Sequence, residues 1–260
     1  MEKIDIINTT PDNILNYGVC GYKNIKRKGY PEKINWVKDN YPKGLRIKTL
    51  YSEKDGTQGM IEYIPGEYCW RPVDAKNYLF IHCVFVGFKN EYKNKGYATL
   101  LINQCFDEAK KQKMHGLVVV TRKGSFMVGK EIFIKNGFEI VDNADPDFEL
   151  LVKRVSKDAL LPKFKDSIKE IDKKYENGLF IFRADQCPYS VKNVEAIIET
   201  SKKKYKIVPN LIEFKNSEQA QDSPCAFGTF CIMYNKEVIA YHPISNTRFI
   251  NIMEKKINKK

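Results

Sequence analysis

An apolar run, Tyr78 to Phe88 (YLFIHCVFVGF), leads into a short basic turn, Lys93-Asn94-Lys95-Gly96-Tyr97-Ala98, and a helical pattern begins at Tyr97 and lasts to Lys111. The run is rich in aromatic and β-branched residues, so it reads as a buried strand. In the next segment Ala98, Leu101, Ile102, Cys105, Phe106 and Ala109 recur at helical spacing. A strand that feeds a helix through a glycine turn gathers backbone N–H groups and the positive end of the helix dipole at one point. That combination suits an anion such as a pyrophosphate. Gly96 lets the backbone approach a ligand, small Ala98 keeps the first helical turn open, and Lys93 and Lys95 add mobile positive charge. One such turn binds nothing by rule; the order of the flanking segments gives it meaning.

Before it, Lys3 to Asn8 reads as a strand. Thr10 and Pro11 then start a helix, carried by Ile14, Leu15 and Val19 and ended at Gly21. Lys23 to Pro31 is basic and turn-rich, and Ile34 to Asn40 forms a second helix before Pro42 and Gly44. Leu45 to Tyr51 and Thr57 to Ile64 are strands. Pro65 to Val73 is a loop carrying Glu67, Tyr68, Trp70 and Arg71, which either lines a cleft or packs on its own aromatics. After the Tyr97 helix, Gly116 to Thr121 (GLVVVT) reads as a strand covered on both faces. Gly129 to Asn136 reads as a helix ended by Gly137, and Phe148 to Val155 as a last strand.

Two of these segments carry a resemblance. Lys93, Gly96 and Ala98 are similar to the acyl-CoA signature of the GNAT N-acetyltransferase superfamily, Arg/Gln-x-x-Gly-x-Gly/Ala, with Lys in the first place. Ile132 to Phe138 (IFIKNGF) resembles that family's second signature, a helix closing in Gly-Phe before a strand. The resemblance covers roughly residues 1 to 155 and implies an α/β (α+β) fold with a mixed central sheet. It implies acetyl-CoA as co-substrate and direct transfer to a small-molecule or peptide amine in a ternary complex. The backbone around Val84, Phe85, Val86 and Phe88 would hold the acyl and pantetheine part. The turn Lys93, Asn94, Lys95, Gly96, Tyr97 and Ala98 would hold the pyrophosphate. The first two helices would shape the acceptor site. The family often places a Tyr acid where this chain has Phe133. Glu67 and His82 are then the candidate bases, with Tyr68 and Tyr97 as further proton donors.

The second half starts with Leu161, Phe164, Ile168, Ile171 and Tyr175 on one helical face, read as a linking helix over 158–178 between a GNAT domain at 1–157 and a smaller domain at 179–260. Then come strand Leu179 to Phe182, a turn Cys187-Pro188-Tyr189-Ser190 opening a helix, a strand within Tyr205 to Phe214, a short helix Ser217 to Gln221, a hairpin around Asn235-Lys236, and a helix capped by Ser245. This order is thioredoxin-like. The CPYS turn resembles the glutaredoxin CPYC, and the half as a whole resembles the YoaP-type C-terminal domain. Cys187 at a helix start would gain thiolate character, and Pro224 is the candidate for the fold's cis-proline. Ser190 occupies the place of the resolving thiol, so cycling within the motif is excluded and only Cys225 or Cys231 could resolve. This leaves two further readings: a non-catalytic acyl-CoA or peptide sensor, and a thiol-linked enzyme using Cys187.

Composition narrows the partners. The 260 residues form one large or two modest domains, and 43% hydrophobic content suffices for packed cores. No apolar run reaches the ~20 residues of a membrane span, and no secretory segment opens the chain. Seven cysteines without zinc spacing read as free thiols of a reducing cytoplasm. The net charge of +12 is spread over scattered lysines (Lys23, Lys26, Lys28, Lys110, Lys111, Lys113, Lys202, Lys203, Lys204) and a Lys259-Lys260 tail. No zinc finger or RNA-binding aromatic motif accompanies it, which disfavours nucleic acid. A homodimer stays open.

Overall fold

The structure is a computed structural model that describes residues 3–22 and 24–258. Lys23 and the Lys259-Lys260 tail lie outside the described residues. The chain divides into two compact units, Met1–Cys69 with Val73–Phe164, and Trp70–Pro72 with Lys165–Lys260.

The first unit runs β1 (Ile4–Thr9), α1 (Ile14–Tyr17), α2 (Tyr30–Asn40), β2 (Arg46–Ser52), β3 (Gly56–Pro65), β4 (Val73–Asp74), β5 (Leu79–Val86), α3 (Tyr97–Lys111), β6 (Gly116–Thr121), α4 (Lys130–Lys135), β7 (Glu139–Ala144), β8 (Phe148–Arg154) and β9 (Lys163–Phe164). Seven strands form one sheet in the order β1-β2-β3-β5-β6-β8-β7, antiparallel throughout except for the parallel pair β5 and β6. The expected mixed sheet is present. One face carries α3 and α4. There Leu101, Ile102, Cys105 and Ala109 of α3 and Phe133 of α4 close on Ile61, Tyr63, Leu79, Ile81, Leu117 and Val119. Each fully buried Leu or Ile contributes roughly 1.5–3 kcal/mol. Met60, Glu62, Phe80 and His82 fall outside that cluster, and the α2 residues Lys33 and Trp36 meet Glu62 and His82.

Two expected helices do not form as read. The first helix is a single turn, because the Asn13 side chain accepts from Thr10 N–H (2.8 Å) and donates to Asn8 O (3.1 Å), holding Thr10–Asn13 as a turn rather than a capped helix start. The linking helix over 158–178 does not form. Pro162 interrupts its pattern, and Leu160 and Leu161 are 84% and 53% exposed. Phe164 pairs with Val73 and donates its N–H to Asp142 Oδ2 (2.8 Å).

The second unit contains α5 (Ile171–Lys174), β10 (Leu179–Arg183), α6 (Tyr189–Lys192), α7 (Val194–Tyr205), β11 (Asn210–Glu213), α8 (Ser217–Gln221), β12 (Phe230–Tyr234), β13 (Glu237–Ala240) and α9 (Asn246–Ile257). Its sheet runs β11-β10-β12-β13, with β10 and β11 parallel and the other pairs antiparallel. Ser245 caps α9 as read, its Oγ accepting from Arg248 N–H (3.2 Å). The Tyr205 strand is shorter than read: α7 takes Tyr205, Lys206 ends it at φ 57°, and β11 starts at Asn210. Pro224 is not cis; among the described residues the cis peptide is Asp145-Pro146.

Candidate functional site

Strands β5 and β6 share three register pairs, Leu79↔Leu117, Phe80↔Val118 and Ile81↔Val119. Beyond them β6 continues only with β8, through Thr121↔Glu149, while β5 continues with β3 as far as Val86↔Gly59. The cause lies in the β3–β5 ladder. Tyr63 faces Ile81 and Glu62 faces Cys83, so His82 is the extra residue of a β-bulge. A bulge bends its strand and increases its twist. Here it comes one residue after the last β6 partner, so β5 leaves β6 and a wedge opens along Cys83–Val86. Gly59 makes room at the far end: a Cβ there would stand 2.6 Å from Phe85 O.

The wedge runs into the basic turn. Gly87, at φ 91°, donates its N–H to Gln58 O (2.7 Å), and Lys89 N–H reaches Gln58 Oε1 (3.2 Å). Buried Tyr92 donates to Asp55 Oδ2 (2.8 Å), and the Lys89 ammonium also sits on Asp55. Lys89 first, then Tyr92, hold the Asp55 carboxyl down at about 2. The turn is thus bolted to the β2–β3 connection. Asn94 and Gly96 are left-handed (φ 58° and 79°), and the first helical bond is Leu100 N–H to Gly96 O (3.0 Å). Among the described residues no acceptor meets the amides of Asn94 through Thr99, and the first turn of α3 holds no acidic side chain. A Cβ built on Gly96 meets nothing within 4 Å. The turn is therefore an open cradle of amides at a helix N-terminus, and it fits a phosphate-bearing ligand. The Lys93 chain lies over Gly87, and its exposed ammonium donates to Asn90 Oδ1 (2.8 Å). Lys95 is exposed, Tyr97 and Ala98 are half-buried, and exposed Phe88 stands edge-on to half-buried Phe85 at 4.8 Å.

Behind the bulge lies a buried charged group. Lys33 Nζ donates to Glu62 Oε2 at 2.5 Å, and His82 Nδ1 stands 3.4 Å from Glu62 Oε1, at the long end of hydrogen-bonding range. All three side chains have zero exposure. The Lys33 ammonium also lies 4.0 Å over the Trp36 ring, and His82 packs between Trp36 and Phe80 at 5.9 and 5.5 Å. Burial pushes the Glu62 carboxyl up, but Lys33 and then His82 outweigh it and hold it at about 2.

The other sequence candidates lie elsewhere. Glu67 and Tyr68 occupy a 3-10 turn, Gly66–Tyr68, directly after β3. Pro65 faces Leu79, the first residue of β5, so this turn is at the opposite end of β5 from the basic turn, roughly 20 Å away by strand rise. Glu67 Oε1 accepts from Asn77 N–H (3.0 Å), and Tyr68 is 40% exposed. Phe133 is 1% exposed and stacks edge-on against Phe138 at 5.3 Å. Cys187 belongs to the second unit and is half-buried, and α6 after it is one turn, too short to deliver the dipole expected of it. Sequence reading missed Glu62 and Lys33. Each is a lone charge on an apolar face, Glu62 in QGMIEYI and Lys33 among Tyr30, Ile34, Trp36 and Val37 of α2. Such a charge is the available signal, since a buried one needs a partner.

The family model described as YoaP-like matches residues 210–251. A Bacillus subtilis (strain 168) protein named uncharacterized N-acetyltransferase YoaP is 30% identical over 251 residues, 95% of this chain and 97% of that one. Among solved structures, an acetyltransferase of the GNAT family from Staphylococcus aureus Mu50 is 16% identical with a TM-score of 0.43, over 59% of this chain and 100% of that one. The GNAT family N-acetyltransferase YhbS of Escherichia coli, solved with CoA, is 13% identical with a TM-score of 0.41, over 64% and 92%. The PaiA N-acetyltransferase of Thermoplasma acidophilum, solved with coenzyme A, is 16% identical with a TM-score of 0.38, over 58% and 99%.

Proposed function

The chain belongs to the family of the Bacillus subtilis N-acetyltransferase YoaP, and from that premise we propose that its first unit transfers an acetyl group from acetyl-CoA to a small-molecule or peptide amine by direct transfer in a ternary complex. The observation that carries this reading is the β5–β6 wedge running into an open amide cradle. When bound, acetyl-CoA supplies the activated thioester.

The residues divide the work. The amides of Asn94–Ala98 hold the pyrophosphate, with Lys95 as the exposed cation beside them. The backbone of Val84, Phe85 and Val86 along the wedge holds the acyl and pantetheine part and donates to the thioester carbonyl. Glu62 lies beside His82 and favours positive charge on it, so that the imidazole takes the acceptor amine's proton. The imidazole is closed to bulk solvent, and a water in the wedge relays that proton. Lys33 keeps Glu62 ionised. The buried Phe133 has no proton for the leaving thiolate, and Tyr97, half-buried at the start of α3, is the hydroxyl nearest the cradle in sequence.

The second unit we read as thioredoxin-like. The sheet order β11-β10-β12-β13, with one parallel pair, supports this. With Ser190 in the resolving position and a one-turn helix after Cys187, it serves binding or assembly rather than dithiol cycling.

Phe133 favours one other reading, acyl-CoA binding without transfer. Calorimetry with acetyl-CoA and CoA release on an amine panel test both. Saturable binding with turnover supports the transferase, binding without turnover supports the sensor, and folded protein that binds no CoA ends both readings.

A further inference from the structure

The connection between α1 and α2 opens with a two-residue turn. Val19 N–H donates to Tyr22 O (3.0 Å) and Tyr22 N–H to Val19 O (2.8 Å), with Cys20 at φ 52° and Gly21 at φ 79°. Two left-handed central residues are the geometry of a type I′ turn. The Cys20 N–H donates to Met60 Sδ (3.3 Å), which fastens the turn over β3 two residues from Glu62. The turn borders a cavity of about 240 Å³ lined by Tyr17, Val19, Tyr22, Thr57, Gln58 and Phe88. The cavity adjoins the wedge, because Gln58 O accepts from Gly87 N–H and Phe88 stands edge-on to Phe85. Its polar groups are spent on the protein. Thr57 Oγ1 donates to Tyr17 O (2.5 Å), Gln58 Nε2 donates to Asp55 O (3.0 Å), and the Asp55 carboxylate holds Lys89 and Tyr92. What remains for a ligand is aromatic and aliphatic surface, and the volume exceeds the ~150 Å³ that admits a benzene ring.

The rim has the opposite character. From Gly21 to Gly29 the sequence holds Lys23, Lys26, Arg27 and Lys28 and no acid. The exposed Arg27 lies with its guanidinium 4.2 Å over the ring of Tyr22, one of the cavity walls. That ring has no exposure and tilts against buried Tyr30 at 6.1 Å, whose O–H donates to Ile14 O (3.3 Å). The guanidinium is thus stacked on a fixed ring, while among the described residues no carboxylate or carbonyl takes its N–H donors. A planar fork of donors held in this way matches a carboxylate.

We propose that the acceptor is an apolar α-amino acid, with its side chain in this cavity and its carboxylate on the Arg27 guanidinium. The proposal rests on the transferase reading and names its acceptor. The α-ammonium group first gives one proton to solvent. The neutral nitrogen then bonds to the acetyl carbon as the thioester C–S bond breaks, leaving its electron pair on sulfur. A second proton leaves the nitrogen through the relay water to His82, and the thiolate takes one from solvent. The products are the N-acetyl amino acid and CoA. A second cationic group finds no partner here. The cavity holds no unspent carboxylate and the rim repels positive charge, so polyamines are poor acceptors.

The test uses the full chain with phenylalanine and leucine, their decarboxylated analogues phenethylamine and isoamylamine, and spermidine. Calorimetry reads amino-acid binding with and without CoA, and CoA release from acetyl-CoA reads turnover. The expected kcat/KM is about tenfold or more higher for each amino acid than for its analogue, with spermidine the poorest acceptor. Arg27→Gln should cut the phenylalanine-to-phenethylamine ratio by about tenfold. Arg27→Lys should restore only part of it, since an ammonium keeps the charge and loses the fork. Val19→Phe fills the cavity and should turn the preference from phenylalanine to alanine, with circular dichroism checking the fold; if it misfolds, the wild-type and Arg27→Gln ratios decide. Equal use of phenylalanine and phenethylamine, a ratio that Arg27→Gln leaves untouched, or spermidine as the best acceptor overturns the proposal. Failure to bind either amino acid overturns it as well, and CoA binding then decides the transferase reading separately. Amino-acid binding that Arg27→Gln weakens, in protein that binds no CoA, defeats the transferase reading and leaves the amino-acid site standing.

Discussion

Replacing Glu62 with Gln keeps the shape of the side chain and removes its charge, stranding Lys33 where its side chain has no exposure. Three estimates of the cost converge. Removing one member of a buried ion pair costs roughly 3–5 kcal/mol. Neutralising a lysine of ordinary pKa ~10.4 at pH 7, its alternative to burial as a cation, costs about 4.6 kcal/mol. A carboxyl held at about 2 against an ordinary 4.5 is worth about 3 kcal/mol at neutral pH. The loss should lower the melting temperature by roughly 6–20 °C, read by far-UV circular dichroism. The pH profile identifies the cause. In the variant the folded state protonates Lys33 less readily than the unfolded chain does. The unfolded chain therefore binds more protons, and stability rises with pH toward the free lysine value of about 10.4. Wild type behaves in the opposite range: its Glu62 contribution is fully present above about 4.5 and is lost as pH falls through about 2. Adding Lys33→Met removes the stranded cation and should recover at least half the loss. A Glu62→Gln melting point within about 2 °C of wild type, or a flat alkaline profile, would refute the reasoning.

Three further outcomes are expected. His82→Gln should lower kcat by about 10²-fold or more while the acetyl-CoA Kd from calorimetry changes little, because the imidazole handles a proton rather than the cofactor. Gly96→Ala places a methyl in the open cradle on a left-handed residue and should weaken CoA binding by about fivefold or more, with circular dichroism unchanged. Asp55→Asn frees Lys89 and Tyr92 from the β2–β3 connection. The folded carboxyl is depressed from 3.8 to about 2, so its contribution is present above 3.8 and lost as pH falls through about 2. The gap in urea midpoint between wild type and variant should therefore close over that window.

The elements with strong local patterns were legible. The α3 helix spans Tyr97–Lys111 and β6 spans Gly116–Thr121, the bounds that periodicity gives, because an amphipathic helix and a strand covered on both faces leave unambiguous traces. The basic glycine turn before α3 was legible as well, since its requirement is local, though its left-handed backbone was not read. The linking helix was misread because spacing alone ignores Pro162 and cannot tell that Leu160 and Leu161 face solvent. β4 and β9, two residues each, leave no periodic trace. The Lys33–Glu62 contact joins residues 29 apart, and the β5 bulge depends on a register against β3 that no single segment encodes. Glu67 looked suitable as a base because it is an acid on a loop, but register puts that loop at the wrong end of β5.

Trp70–Pro72 counts with the second unit although the chain on both sides of it counts with the first. Trp70 and Arg71 are 3% and 4% exposed, Arg71 donates to Thr229 Oγ1 (3.2 Å), and Gly228 is so close that a Cβ there would stand 2.5 Å from Trp70 O. Neither half is thus one uninterrupted length of polypeptide. A fragment ending near residue 164 carries this tripeptide away from its partners, and the complementary fragment starts without it. Dissecting the two halves by truncation therefore confounds a missing activity with a torn anchor, and point substitutions in the full chain are the cleaner instrument.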